Sequence, residues 1–317
     1  VRIAMVCAPY ESCPPTGYGG IERVVGWWTK ELLKQGHEVD LFARKGSTVG
    51  TRIYEWEYYG EEQKFAEWVY TQIDLPKVDI VVDNSHEKWL RFFIQGPYIA
   101  MLHMESCPSG TPNIVGCSRN NAWMNHSAEY VHLGVDLEEY ELETEKEDYL
   151  LYMGAIAPHK QVHLAIDMAH RLHIPIKVAG PRREGYEAYH DQIIAMLEPG
   201  EYVGEVKGER KQKILGGARA KLWPINWEEP GGTIAFEAAA CGTPIIAYER
   251  GCAGEIIQDG VTGFLPHNPC EMADAIDRID ELDPKTIREY IEQNFSMPIT
   301  IEKQLALYER AIAGETW

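Results

Sequence analysis

Apolar residues in the first part of the chain come in short runs separated by polar, helix-period segments. Arg2 to Cys7 is a buried-strand run, and Ile21 to Gln35 repeats its apolar positions with a helical period. After Gly36 a second strand run covers Val39 to Ala43. Strand, helix and strand in that order predict a βαβ unit. The alternation continues through Val78 to Val82, Ile99 to His103 and Ile114 to Ser118, which predicts a parallel sheet covered by helices on both faces. At Tyr149 to Gly154 the same grammar restarts, with an amphipathic helix over His163 to Leu172 and a strand over Ile176 to Gly180. Further elements are expected at Ala220 to Pro224, Thr233 to Cys241, Pro244 to Ala247 and Glu271 to Ile279. Between the two series, Glu138 to Asp148 is acidic and weakly apolar, and reads either as an exposed linker or as a solvated helix face. The pattern predicts two α/β domains in tandem, an organisation that 317 residues comfortably allow.

Composition narrows the classes. With 45% hydrophobic and 25% charged residues the chain has globular usage, and its longest apolar stretches are strand-sized, far short of a spanning helix. Val1 to Val6 enters a strand-like run directly, without the longer apolar stretch and cleavage site of a secretory signal, so a cytoplasmic protein is expected. The seven cysteines are odd in number and contain no C-x-x-C pair, so they read as buried small hydrophobes. A formal charge of -19 disfavours nucleic acid and broad electrostatic contact with anionic lipid. Peripheral membrane contact is not indicated, and the oligomeric state stays open.

The chemistry concentrates between Pro224 and Pro244. This stretch reads as a strand end, a loop with Gly231 and Gly232, and a helix that starts near Thr233 and is stopped by Gly242 and Pro244. Glycines ahead of a helix N-terminus leave backbone N–H groups bare, an arrangement suited to a phosphate or diphosphate. Glu229 in the loop and Glu237 in the helix then fall on either side of that guest, where they can accept hydrogen bonds from hydroxyls. Each has a plainer alternative: charge complementarity to the helix N-terminus for Glu229, and an exposed helix position for Glu237.

At these residues the chain resembles glycosyltransferase family 4. The spacing of Glu229 and Glu237 is similar to that family's E-x7-E signature, and Glu237-Ala238-Ala239-Ala240-Cys241-Gly242-Thr243-Pro244 to its continuation. Gly251 to Leu265 resembles the next family segment, and Gly134-Val135-Asp136 the turn that ends its N-terminal domain. The likeness runs from Arg2 to about Ala311 and is weakest between Gly46 and Lys77. It implies the GT-B fold, two Rossmann-like domains with parallel sheets facing across a cleft. Residues 1–140 would form an acceptor-side domain, 141–297 a nucleotide-sugar domain, and 298–317 a helix crossing back to the first. It also implies a retaining hexosyltransferase whose donor is a nucleotide-diphosphate sugar, UDP-glucose before GDP-mannose. The acceptor is left unnamed: a small molecule, a glycan or a lipid-linked sugar.

Residue by residue, the resemblance assigns Gly19 and Gly20 to the loop that approaches donor phosphates and acceptor, and His103 to the neighbourhood of the transferred sugar. Lys160, Gly231, Gly232 and Thr233 are assigned to the diphosphate, Glu229 to sugar hydroxyls and Glu237 to ribose. His86, at another strand end, is a candidate lining residue. The chain departs from the family at Gly154-Ala155, where an arginine is usual, and losing that guanidinium removes a charge-assisted pair worth about 1.5–3 kcal/mol. Arg182 or Arg183 is positioned to supply the charge; both are otherwise solvated loop residues. With no metal-ligand cluster, neutralisation of the leaving diphosphate is expected to come from protein groups, with no cofactor. The alternatives to a transferase are an epimerase on the same scaffold and a silent nucleotide-sugar binder. A dehydrogenase fits worse, because the first strand-turn lacks G-x-G-x-x-G.

Overall fold

Six parallel strands of the first sheet take the order β3-β2-β1-β4-β5-β6, so the winding reverses between β1 and β4. The computed structural model describes Val1–Trp317. Its elements begin with β1 (Arg2–Val6), α1 (Gly20–Lys34), β2 (Glu38–Arg44), β3 (Arg52–Trp56) and α2 (Glu62–Gln72). They continue with β4 (Ile80–Asp83), β5 (Tyr98–Met101), β6 (Ile114–Val115) and α3 (Arg119–Met124). The chain winds outward from β1 to β3, returns to β4 beside β1, and winds the other way. The loops after β1 and β4 therefore diverge at the carboxyl edge, where ligands bind in doubly wound sheets.

The second sheet repeats the plan. It contains β7 (Leu150–Met153), α4 (Val162–Arg171), β8 (Ile176–Ala179), α5 (Glu187–Met196), β9 (Tyr202–Gly204) and α6 (Gly208–Gly217). Then come β10 (Ala220–Trp223), α7 (Thr233–Ala240), β11 (Ile245–Ala247), α8 (Ala253–Ile256), β12 (Gly263–Phe264), α9 (Pro269–Asp277) and α10 (Pro284–Phe295). The strand order is β12-β11-β10-β7-β8-β9, so the reversal lies between β7 and β10. The last helix, α11 (Met297–Ile312), packs on α1, β4 and β5.

Two compact units result, one of Val1–Val135 with Phe295–Trp317 and one of Asp136–Asn294. In the first, Ala4, Val6, Phe42, Val81 and Ala100 of the sheet pack with Phe65 and Val69 of α2. In the second, Leu150, Val178, Leu222 and Ile246 pack with residues of α4 and α9. Gly134 shows why a glycine ends the first unit's sheet region: its φ is 69°, and a Cβ there would lie 2.3 Å from Thr300 Oγ1 of α11.

Two expectations need correction. The acidic stretch is mostly exposed and, after a short 3-10 turn at Leu137–Glu139, not helical, but it is tied down: Lys146 donates to the carbonyls of Gly216 and Cys241, Glu143 N–H donates to the Cys241 carbonyl, and Arg288 donates to the carbonyls of Leu137 and Tyr140. Its carbonyls and stems are strapped to the second unit while most of its carboxylates face water. The cysteines are not uniformly buried either, since Cys107 is half-buried and Cys270 exposed. No helix is long and apolar enough to cross a membrane.

Candidate functional site

In the second unit the loops after β7 and β10 flank the sheet's reversal, and β10 runs through Pro224–Gly232 into α7. Gly232 caps the helix with φ 62°, and a Cβ there would meet the Trp223 ring at 2.6 Å, so the position admits glycine alone. No side chain caps α7 and no acidic residue stands in its first turn. The first-turn amides and the positive end of the helix dipole are thus unneutralised by the helix's own sequence, which suits the terminus chemically to an anion. Gly231 and Gly232 are buried and Thr233 half-buried.

Beside this terminus Glu229 Oε2 accepts a hydrogen bond from the Trp227 indole at 2.8 Å and pairs with Lys160. Lys160 comes from the short turn Pro158–Lys160 after β7, and its ammonium lies 4.1 Å from the centre of the Trp227 ring. The His159 ring stacks at a tilt on the other partner, 4.6 Å from Trp227. Burial, followed by the charge of Lys160, lowers the His159 pKa. The loop carrying Glu229 is held from below by Gly251 and Cys252. The Glu229 carbonyl accepts from Cys252 N–H at 2.9 Å, and Glu228 accepts from Gly251 N–H at 2.9 Å. A Cβ on Gly251 would come within 2.2 Å of Glu229 N, so a glycine at φ 56° is required for this approach.

Glu237 is buried rather than on an exposed helix face, with 2% exposure. Its carboxylate pairs at 2.5 Å with Lys211 of α6, a residue the sequence reading did not single out. Ala155 is also buried, and Tyr152 OH donates to its carbonyl at 2.7 Å. Arg182 lies at the surface, where its guanidinium is 3.5 Å from the carboxylate of Asp191 of α5. The charge of Arg183 reaches His159.

In the first unit, Gly19 closes the loop before α1, and a Cβ there would strike Pro15 Cβ at 2.8 Å. Gly20 opens the helix, again with no side-chain cap. His103 stands two residues beyond β5. Its Nε2 lies 2.9 Å from Asn84 Oδ1, while Asn84 Nδ2 donates to the Val6 carbonyl at 3.1 Å. With the amide oriented that way Nε2 carries the proton, which leaves Nδ1 as an acceptor. Burial, and then the charge of Lys88, push the His103 pKa well below the usual imidazole value, so the ring is neutral at pH 7.

Lys88 itself is buried, donating to the carbonyls of Asp83 at 3.0 Å, Met101 at 2.7 Å and Ser85. That ammonium ties the ends of β4 and β5 together and so places His103. Asn84 and Lys88 were missed at the sequence level because their partners are carbonyls and a ring brought in by the sheet. His86 pairs with Glu62 at 2.6 Å, with Tyr10 edge-on at 4.9 Å; it lines the same carboxyl edge.

Residues 137–295 match the family described as glycosyl transferases group 1. A D-inositol 3-phosphate glycosyltransferase of Mycobacterium sp. (strain JLS) is 28% identical over 205 residues, covering 58% of this chain and 47% of that protein. Spore coat protein SA of Bacillus subtilis (strain 168) is 33% identical over 93 residues, covering 26% of this chain and 25% of that one. The chain therefore spans about half the length, or less, of these curated relatives. Among solved structures, AviGT4, a glycosyltransferase involved in avilamycin A biosynthesis, aligns with a TM-score of 0.82 at 28% identity, covering 100% of this chain and 99% of that one. Anabaena HepE in complex with UDP and glucose aligns with a TM-score of 0.73 at 16% identity, covering 96% and 98%, a likeness of fold.

Proposed function

Because the chain belongs to the group 1 glycosyl transferases and has the GT-B fold, we propose that it transfers a hexose from a nucleoside-diphosphate sugar to an acceptor hydroxyl with retention of configuration. UDP-glucose is the first donor and GDP-mannose the second, following the frequency of these donors in the resembled family. The acceptor is a small molecule, a glycan or a lipid-linked sugar. The observation that carries the reading is the uncapped N-terminus of α7 at the sheet reversal, with Lys160 and Glu229 beside it.

In this reading the α7 amides at Gly232 and Thr233, with Gly231 allowing close approach, hold the diphosphate. Lys160 is drawn from Glu229 to the phosphates as the donor enters, which frees the carboxylate to accept from sugar hydroxyls. Glu237, oriented by Lys211, accepts from ribose. Negative charge that develops on the leaving diphosphate is met by groups already in place, so no resident metal or cofactor is needed for that step. Gly19 and Gly20, by the same resemblance, serve donor and acceptor binding through a loop whose backbone a ligand can approach closely. His103, a neutral ring fixed by Asn84, positions the sugar and shields developing positive charge.

Ala155 favours a second reading, a binder of nucleotide sugars with little turnover, since the usual guanidinium is absent and the alanine is buried. A thermal-shift screen over UDP- and GDP-sugars, followed by assay of donor consumption, separates the two. The proposed transferase is stabilised by one donor class and consumes it, with UDP or GDP released. Stabilisation without any consumption, with or without acceptor sugars, supports the binder. Incubation with UDP-N-acetylglucosamine alone, giving an epimer without acceptor, would move the reading to an epimerase.

A further inference from the structure

Lys221 stands on a central strand of the second sheet where its neighbours in register are apolar. It faces Ile245 on β11 and Leu151 on β7, and it is fully buried. Its ammonium nitrogen has no hydrogen-bond partner. An unpartnered buried amine is a costly group to place in a core, where methionine or leucine of similar volume would carry no such penalty. A local rule broken this plainly in an otherwise consistent sheet marks a functional position more often than a packing one.

The geometry indicates which function. Lys221 and Trp223 lie two residues apart on one strand and so share a sheet face. The Lys221 nitrogen is 4.7 Å from the centre of the Trp223 ring. Trp223 is the side chain on which Gly232, the N-cap of α7, rests. The amine therefore sits under the loop and helix terminus assigned above to the diphosphate. The charged and titratable groups that act on it come from every element around that spot. They are Glu229 from the loop, Lys160 from the turn after β7, Cys252 ahead of α8, and Glu237 of α7, which is itself paired with Lys211 of α6.

We propose that Lys221 is a buried counter-charge for the donor diphosphate, supplying from beneath α7 the positive charge that Ala155 does not. This rests on reading the α7 terminus as a diphosphate site. Burial first of all lowers the amine's pKa to about 7, with Glu229 opposing and Lys160 adding to the shift. In the empty protein the amine is thus ready to shed its proton just above neutrality. A diphosphate arriving over α7 brings roughly two or more negative charges and favours the ammonium. Donor binding then takes up a proton from solvent, and the charge appears only when an anion is present to use it.

The test is calorimetric titration of the full chain at pH 8 with UDP or GDP, whichever binds more tightly, in two buffers of different ionisation enthalpy. The terminal phosphate of either nucleotide, with a pKa of about 6, contributes little proton exchange there. The native chain is expected to take up a large part of one proton per site. Lys221→Met is expected to take up none and to bind at least tenfold more weakly, with a thermal midpoint without ligand that is unchanged or higher. Native affinity and native proton uptake in Lys221→Met would overturn the proposal and leave the diphosphate reading standing. A lowered midpoint would mark the amine as part of the core's packing and also overturn it. A native chain that binds neither nucleotide removes the diphosphate reading and this inference with it.

Discussion

Glu229 already has two partners, so its removal probes the site before any donor is known. Its carboxylate accepts from the Trp227 indole at 2.8 Å and pairs with Lys160, the two side chains being 13% and 16% exposed. Glu229→Ala strands an ammonium that is largely shielded from water. Breaking a fully buried pair from one side costs about 3–5 kcal/mol. Here the residual exposure admits water, and the Trp227 ring 4.1 Å away continues to attract the charge. The expected loss is therefore about 2 kcal/mol. Lys160→Met keeps the packing on the ring and leaves the carboxylate with its indole donor, for a loss of roughly 1–2 kcal/mol.

The double variant strands neither charge, so the coupling between the two sites should be about 1–2 kcal/mol. Urea unfolding followed by tryptophan fluorescence, with slopes unchanged between variants, gives the four stabilities of the cycle. Repeating the cycle in saturating UDP should shrink the coupling, since Lys160 then has phosphate as its partner. Additivity within about 0.5 kcal/mol without ligand would refute the claim that the pair is held. A coupling that UDP leaves untouched would refute the exchange of Lys160 from carboxylate to phosphate.

Glu237→Ala and Lys211→Met should each weaken donor binding by roughly tenfold, as expected for losing a charge-assisted contact, while Glu229→Gln chiefly lowers turnover; binding and rate assays on the three check the division. Donor consumption should survive EDTA, and its complete loss with restoration by magnesium or manganese would sink the metal-independent step. Ala155→Arg should lower the thermal midpoint, because residue 155 is buried, and Arg182→Ala should leave donor affinity within about twofold, because Arg182 serves Asp191 at the surface. His103 is held below the ordinary imidazole range by burial and Lys88, so its ring resonances should not titrate between pH 6 and 8. The unfolded chain protonates this histidine first, and its share of stability is therefore lost as pH falls below about 6.5.

The parts of the fold legible in the sequence are those where one face or both faces of an element are uniformly apolar. The buried strands β1, β2, β4 and β7 and the helices α1 and α4 fall within a residue or two of their expected limits, and α7 stops at Ala240 because Gly242 turns the chain with φ 70°. The stretch from Gly46 to Lys77 was least legible for a physical reason. It holds β3, an edge strand whose outer residues are half-buried or exposed, so its apolar pattern is diluted. It also holds α2, which follows a residue in left-handed conformation, Glu61, with no capping side chain to announce it. Lys221 and Lys88 were invisible for a different reason. A lysine breaks an apolar run wherever it stands, and only the assembled sheet shows that both are buried.

The same distinction divides the candidate site. The residue types at Glu229, Gly231, Gly232 and Glu237 can be read locally, because a glycine-led helix terminus flanked by carboxylates is a short-range pattern. What each side chain does cannot be read there. Glu229 meets Lys160 across 69 positions of sequence, and Glu237 meets a lysine on a helix that carries no signature. Even the placement of Glu229 is decided elsewhere, by Gly251, whose lack of a Cβ lets the backbone pass beneath the loop. A substitution at Gly251 would therefore act on the carboxylate without touching it. Gly251 and Cys252 thus belong to the candidate site as much as Glu229 does, because their backbone holds the loop that carries it.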